Sequence, residues 1–160
     1  MKHLPTPFSR ASRTAAALVG ALVIAGCGSM PMGSSSAAAP TMATQAFRAT
    51  LSGAAEVPAN ASAGSGTLEA SFDKASSVLR WKVTYSGLSG PATMAHFHGP
   101  AMPGANAGVA LPFASAVSPV EGKATLNAAQ IADLMAGKWY ANVHTAANPG
   151  GEIRGQLMVK

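Results

Sequence analysis

A single cysteine, Cys27, is all the thiol that this 160-residue chain carries. One cysteine excludes an intramolecular disulfide and any metal site built of several thiolates. Charge is also scarce: 11% of residues are Asp, Glu, Lys or Arg, and six are acidic. Those six are scattered along the chain, so no carboxylate pair for glycosidase-type chemistry stands out. The formal net charge of +5 does not point to nucleic acid. Lys2, Arg10 and Arg13 supply three of the five, and the eight basic residues that follow meet six acidic ones with the signs interspersed. A phosphate backbone requires a clustered basic face, which is missing. There is no Gly-x-Ser-x-Gly elbow and no P-loop. The apolar run at residues 15–25 is too short to span a bilayer.

That run has signal-peptide length and follows the positive charges of Lys2, Arg10 and Arg13. It ends in Val23-Ile24-Ala25-Gly26-Cys27, which resembles the lipobox of bacterial lipoproteins, whose cysteine is lipidated after cleavage. The expected organisation is a lipoprotein signal peptide over 1–26, a flexible tether over 27–45 and one folded domain over 46–160. The tether is Gly, Ser, Ala, Pro and Met, with too little apolar bulk to pack. Lipidation of Cys27 makes the membrane a partner and places the protein in the cell envelope, at the outer membrane or the periplasmic face; without it the protein is secreted. Gly28 after the cysteine, where aspartate is associated with inner-membrane retention, favours the outer membrane.

From Phe47 onward the hydrophobic period is two. Phe47, Ala49 and Leu51 alternate with Arg48 and Thr50; Leu68, Ala70 and Phe72 with Glu69 and Ser71; Leu79, Trp81, Val83 and Tyr85 with Arg80, Lys82 and Thr84. Half-buried strands separated by Gly and Pro predict an all-β sandwich or barrel. Asn127-Ala-Ala-Gln130 reads as an N-cap with a capping-box partner, Ile131, Leu134 and Met135 form one apolar stripe, and Gly137 is placed as a C-terminal cap. One short helix is expected there, covering an end of the core.

Histidine is rare as well. Outside the leader there are three: His96 and His98 in Met94-Ala-His96-Phe97-His98-Gly99-Pro100, and His144 in Asn142-Val143-His144-Thr145. On a strand the His-x-His spacing aims both rings at one face, ~6.6–7 Å apart along the chain, so that both can lean onto one ion. Parity puts Phe97 in the core and Met94, His96 and His98 on the other face. It pairs Tyr140, Asn142 and His144 on one face of a strand running from Trp139 to Thr145. On the next strand it turns Ile153, Gly155, Leu157 and Val159 inward and Glu152, Arg154 and Gln156 outward. Three imidazoles converging on one point is the expectation, with copper(II) favoured and zinc second. Met94 or a residue of the 99–112 loop could complete the shell. Asn142 or Glu152 could orient a ring, and Arg154 could attract an anion.

The motifs Leu51-x-Gly53-x-x-Glu56-Val57-Pro58, Ala95-His96-Phe97-His98-Gly99-Pro100-Ala101, Trp139-Tyr140-x-Asn142-Val143-His144-Thr145 and Pro149-Gly150-Gly151-Glu152-Ile153-Arg154-Gly155-Gln156-Leu157 together resemble the CHRD domain, named from chordin and also found singly in bacterial exported proteins. The resemblance spans about 110 residues, a normal size for one domain, and implies an extracytoplasmic β-rich domain without implying a reaction. The order His96, His98, His144, Arg154 also resembles the copper site of Cu/Zn superoxide dismutase, although the fourth copper histidine, the disulfide and the zinc set are missing. With these resemblances the expected fold is an antiparallel Greek-key β-sandwich or barrel, immunoglobulin-like or superoxide-dismutase-like, with one short helix. Three functions follow: a three-histidine transition-metal protein, an envelope-displayed module binding a protein or glycan without metal, and a copper-dependent dismutase-like enzyme.

Overall fold

The structure, a computed structural model, describes residues 43–160. The expected signal peptide, Cys27 and nearly all of the tether lie outside the described residues. Nine strands and one helix follow in order: β1 Thr44–Ser52, β2 Ser65–Asp73, β3 Val78–Ser86, β4 Ala92–His98, β5 Val109–Pro112, β6 Val120–Thr125, α1 Ala128–Met135, β7 Tyr140–Thr145, β8 Ile153–Gln156 and β9 Met158–Val159. They form one antiparallel sheet in the order β5-β4-β7-β8-β1-β2-β3-β6, with β9 also pairing β1. The fold is all-β with a single short helix, as the alternation predicts.

Alternation sets the register. β1 and β2 pair along their whole length, with Phe47 opposite Ala70 and Ala49 opposite Leu68. β2 and β3 continue it, with Ala70 opposite Trp81 and Leu68 opposite Val83. Every one of these residues is buried, so a one-residue slip would turn the whole stripe into water. The sheet is strongly curled. β3 and β4 stand five strand spacings apart in the sheet, roughly 24 Å if it were flat. Yet Trp81 of β3 meets Phe97 of β4 edge-to-face with ring centroids 5.2 Å apart, and Phe113 stacks on Trp81 at 5.1 Å. Burial of these aromatic rings draws the two ends of the sheet together around one core.

The helix begins as its sequence dictates. Asn127 Oδ1 accepts from the Gln130 N–H while Gln130 Oε1 accepts from the Asn127 N–H. Leu134 is fully buried and Ile131 packs on the core, whereas Met135, expected in the same stripe, is largely exposed. Gln130 Nε2 reaches the Ala110 carbonyl of edge strand β5. The opposite edge, β6, carries Glu121 and Lys123 outward.

Two further differences concern the C-terminal strands. Val159 is half-exposed rather than in the core: the ladder breaks at Leu157 and resumes as β9 on β1, so the alternation of β8 does not carry through. The loop after His98 is shorter than expected, because Val109–Pro112 forms β5 against β4.

Trp81 predicts the clearest packing test. The indole lies against the backbone of Gly122 in β6, where any Cβ would run into its six-membered ring. Gly122→Val should displace the ring, lower stability by about 1–3 kcal/mol and alter the near-ultraviolet circular dichroism. An unchanged denaturation midpoint and spectrum would contradict this packing.

Candidate metal centre

β4 and β7 lie side by side, with His98 opposite Tyr140, His96 opposite Asn142 and Met94 opposite His144. Two irregularities mark this strand, one before the His-x-His segment, between Ala92 and Met94 against β7, and one within it, between Phe97 and His98 against β5. Such bulges re-aim side chains at functional edges. Phe97 is fully buried, which pins the register and holds the three histidines on the other face.

The rings converge. His96 Nδ1 lies 3.3 Å from His144 Nε2, and the centroids of His98 and His96 are 5.5 Å apart. Taking one ring nitrogen from each histidine, all three lie within 4.8 Å of one another. Two rings have a fixed tautomer, because Nδ1–H of His98 donates to the Ala107 carbonyl at 3.0 Å and Nδ1–H of His144 to the Pro149 carbonyl at 2.9 Å. Each then presents an Nε2 lone pair. His98 Nε2 is buried with no hydrogen-bond partner. Burial first, then the neighbouring histidines, lowers the pKa of His96; burial likewise lowers that of His144, against the Pro149 carbonyl, which raises it. A neutral imidazole with a free lone pair is the form that metals bind.

These positions suit a small ion. Bonds of about 2.0–2.1 Å at tetrahedral angles put ligand nitrogens about 3.3 Å apart, the separation seen between His96 and His144. A pair at the 4.8 Å limit would close by roughly 1.5 Å to reach that separation. Ring rotation about two side-chain torsions covers that.

The face expected to be wet is enclosed. His98, Asn142, His144, Glu152 and Arg154 are all buried, and His96 is half-buried. Parity gave the side correctly, but two irregular segments, 53–64 and 99–108, return over it. The second is held by Arg154, whose guanidinium donates from Nη1 to Asn106 Oδ1 at 2.9 Å and from Nη2 to the Ala105 carbonyl at 2.7 Å. Its carbon sits 3.4 Å from the centre of the Tyr140 ring, and His98 stacks on the same ring with planes 4° apart. Arg154 therefore braces His98 through Tyr140 and does not open toward an anion.

Glu152 serves the first segment. Its carboxylate accepts from Ser62 Oγ at 2.7 Å, from Ser89 N at 2.7 Å and Oγ at 2.6 Å, and from Thr145 Oγ1 at 2.5 Å. Burial pushes its pKa up, yet these bonds together pull it down to about 2. Every bond it makes goes to a hydroxyl or a peptide, so it orients no imidazole directly. Asn142 does touch a ring, with Oδ1 2.9 Å from His144 Nε2. Met94 stands opposite His144 in the ladder with 48% of its surface exposed.

Sequence reasoning gave Glu56 no role beyond its motif. The structure buries it in segment 53–64, with Oε1 lacking a hydrogen bond. Burial raises its pKa to about 7, against the Arg154 charge and the Val57 peptide N–H. Beside it, Gly151 has φ +133°, and a Cβ there would run into Glu56 Oε1 and lie 2.8 Å from Asn142 Nδ2. Parity had put Tyr140 on the His144 face without its stacking role, and Asn106 and Ala107 lie in the loop expected to complete the shell, where they instead bond Arg154 and His98.

The CHRD domain family model matches residues 47–157, well over half of the chain. The chain belongs to the CHRD-domain family. The match begins in β1 and ends at Leu157, so the CHRD domain contains all three histidines, both covering segments and the Glu152 clamp. Comparison with curated proteins and with solved structures gave no match.

The two buried acids of this CHRD domain act on stability with opposite signs. Glu152, with its pKa depressed from 4.5 to about 2, stabilises fully above pH 4.5 and loses that contribution as pH falls toward 2. Glu56, with its pKa raised to about 7, stabilises below pH 4.5 and loses that contribution as pH rises through 7, a change of roughly 3 kcal/mol at most. Urea denaturation between pH 4.5 and 7 should show wild type losing stability relative to Glu56→Gln as pH rises, the lowered pKa values of His96 and His144 contributing with the opposite sign but equally to both proteins. Glu152→Ala should cost about 2–4 kcal/mol at pH 7. Parallel pH profiles for wild type and Glu56→Gln would contradict the burial of Glu56.

Proposed function

We propose that this CHRD-domain protein is exported, anchored by lipid at Cys27, and binds a transition metal through His96, His98 and His144. The observation that carries the reading is His98 Nε2, a buried lone pair with no partner, on a ring whose centre lies 5.5 Å from that of His96 and 6.3 Å from that of His144. A buried polar atom left bare costs about 1–3 kcal/mol, a cost that a bound cation removes. Nitrogen ligands without thiolate favour copper(II), with zinc second. When bound, copper supplies a redox-active Lewis acid and zinc a Lewis acid alone. The protein supplies the enclosure: Ala107 and Pro149 fix two tautomers, Tyr140 supports His98, and half-buried His96 is the ring nearest to solvent. Export and anchoring rest on the positive N-terminal residues, the 15–25 apolar run and the Cys27 motif.

Calorimetric titration of the full chain with Cu(II) and Zn(II) tests the site. Loss of a tuned second-shell partner costs about 10–100-fold in affinity, so His96→Ala and His144→Ala, which remove a direct ligand, should cost at least that much. Equal weak binding by all three proteins would overturn the metal reading and leave a binding module for a protein or glycan. Labelled palmitate should enter the wild-type protein in a bacterial host and not the Cys27→Ser form; label in both, or in neither, would contradict the anchor.

A further inference from the structure

We propose that Glu56 is the counter-charge of the three-histidine site, coupled to it through the Asn142 amide, so that uptake of a divalent ion expels the Glu56 proton. The inference rests on the metal reading and specifies what that site must do with charge. Three neutral imidazoles bring none. A divalent ion among them would add positive charge beside the Tyr140 ring on which both His98 and the buried Arg154 stack, and Arg154 is held by Asn106, the Ala105 carbonyl and that ring, none of which carries a negative charge. Buried like charges without an anion are costly. The Glu152 carboxylate cannot move to serve them, because Ser62, Ser89 and Thr145 already hold it. Glu56 is the other buried acid among the described residues, and none of the ion pairs found there includes it.

The link is geometric. Around Gly151, Glu56 Oε1 and Asn142 Nδ2 line the same hollow, which a glycine alone leaves open. The other end of the amide, Oδ1, lies 2.9 Å from His144 Nε2. Because His144 gives its Nδ1–H to Pro149, Oδ1 and Nε2 are two acceptors facing one another. That arrangement suits a ring whose Nε2 lone pair is given to a cation, with the Nδ2 end beside Glu56 Oε1, which makes no hydrogen bond as it stands. Without the cation the amide reverses: Nδ2–H donates to Nε2, and Oδ1 accepts from a protonated Glu56. One rotation of the amide thus ties the state of Nε2 to the proton on Glu56. The charged or titratable groups around Glu56 are Arg154 from β8 and, beyond Asn142, His144 from β7; its own segment offers the Val57 peptide and its turn neighbour is Gly151. In the exchange the Glu56 O–H bond breaks, the proton leaves to solvent, the metal–nitrogen bonds form, and nothing is oxidised or reduced.

Titration of the full chain with Zn(II) at pH 6.5, in buffers of different ionisation enthalpy, counts the protons released on binding. Wild type should release about one proton more than Glu56→Gln, which should also bind Zn(II) about tenfold more weakly or worse. Glu56→Asp, which keeps a carboxylate, should retain the extra proton, and circular dichroism of each variant shows that it is folded. If wild type binds Zn(II) and folded Glu56→Gln matches it in proton count and affinity, the role of Glu56 is overturned while the metal site stands. If wild type binds neither Zn(II) nor Cu(II), the metal reading itself has failed.

Discussion

A buried carboxylate with no cation beside it governs the geometry of this domain. Glu152, fully enclosed, takes hydrogen bonds from Ser62, from Ser89 and from Thr145, which lie before β2, before β4 and at the end of β7. Its own peptide N–H pairs with the Val143 carbonyl, and its carbonyl accepts from Asn60 Nδ2. Three separate segments, 53–64, the stretch before β4 and strand β7, are therefore fastened at one residue. Burial of an ion in this way is tolerable only when every lone pair is engaged. The arrangement fixes where the β7–β8 turn lies, and the Pro149 carbonyl in that turn sets the tautomer of His144.

Two kinds of scaffolding meet at the histidines. On one side, Phe97 locks β4 into the aromatic core shared with Trp81 and Phe113, so the ring positions are tied to hydrophobic packing. On the other, Arg154, Tyr140 and Asn106 hold segment 99–108 over the site by stacking and directed hydrogen bonds. The apolar layer sets position along the sheet; the polar layer sets ring orientation and solvent access. Three imidazoles so supported are held in one arrangement by packing and hydrogen bonds together.

Much of this was legible in the residues, and the limits have a physical cause. The period of two exposed the strands, and Phe97 between two histidines fixed which side each ring takes. The capping box of Asn127 and Gln130 marked the helix start. What alternation cannot report is whether a polar face meets water. Segments 53–64 and 99–108 are rich in Gly, Pro and Ala with no periodicity, so nothing in them announced that they fold back over β4, β7 and β8. Glu56 was hidden for the same reason: an acid in an aperiodic segment reads as solvated. Val159 failed differently, because Leu157 interrupts the ladder and the parity of β8 stops there.

The curled sheet does not close into a barrel, and its two free borders differ in kind. β5 is four residues long, ends in Pro112, which lacks a backbone N–H, and has its Ala110 carbonyl covered by Gln130 from the helix. β6 is longer but sets Glu121 and Lys123 along its outer face, where Glu121 pairs with Lys82. Neither border offers the long, flat, uncharged row of peptide groups that recruits a strand from another molecule. Copies of such a domain at high concentration can therefore stand side by side without zipping into one another's sheets.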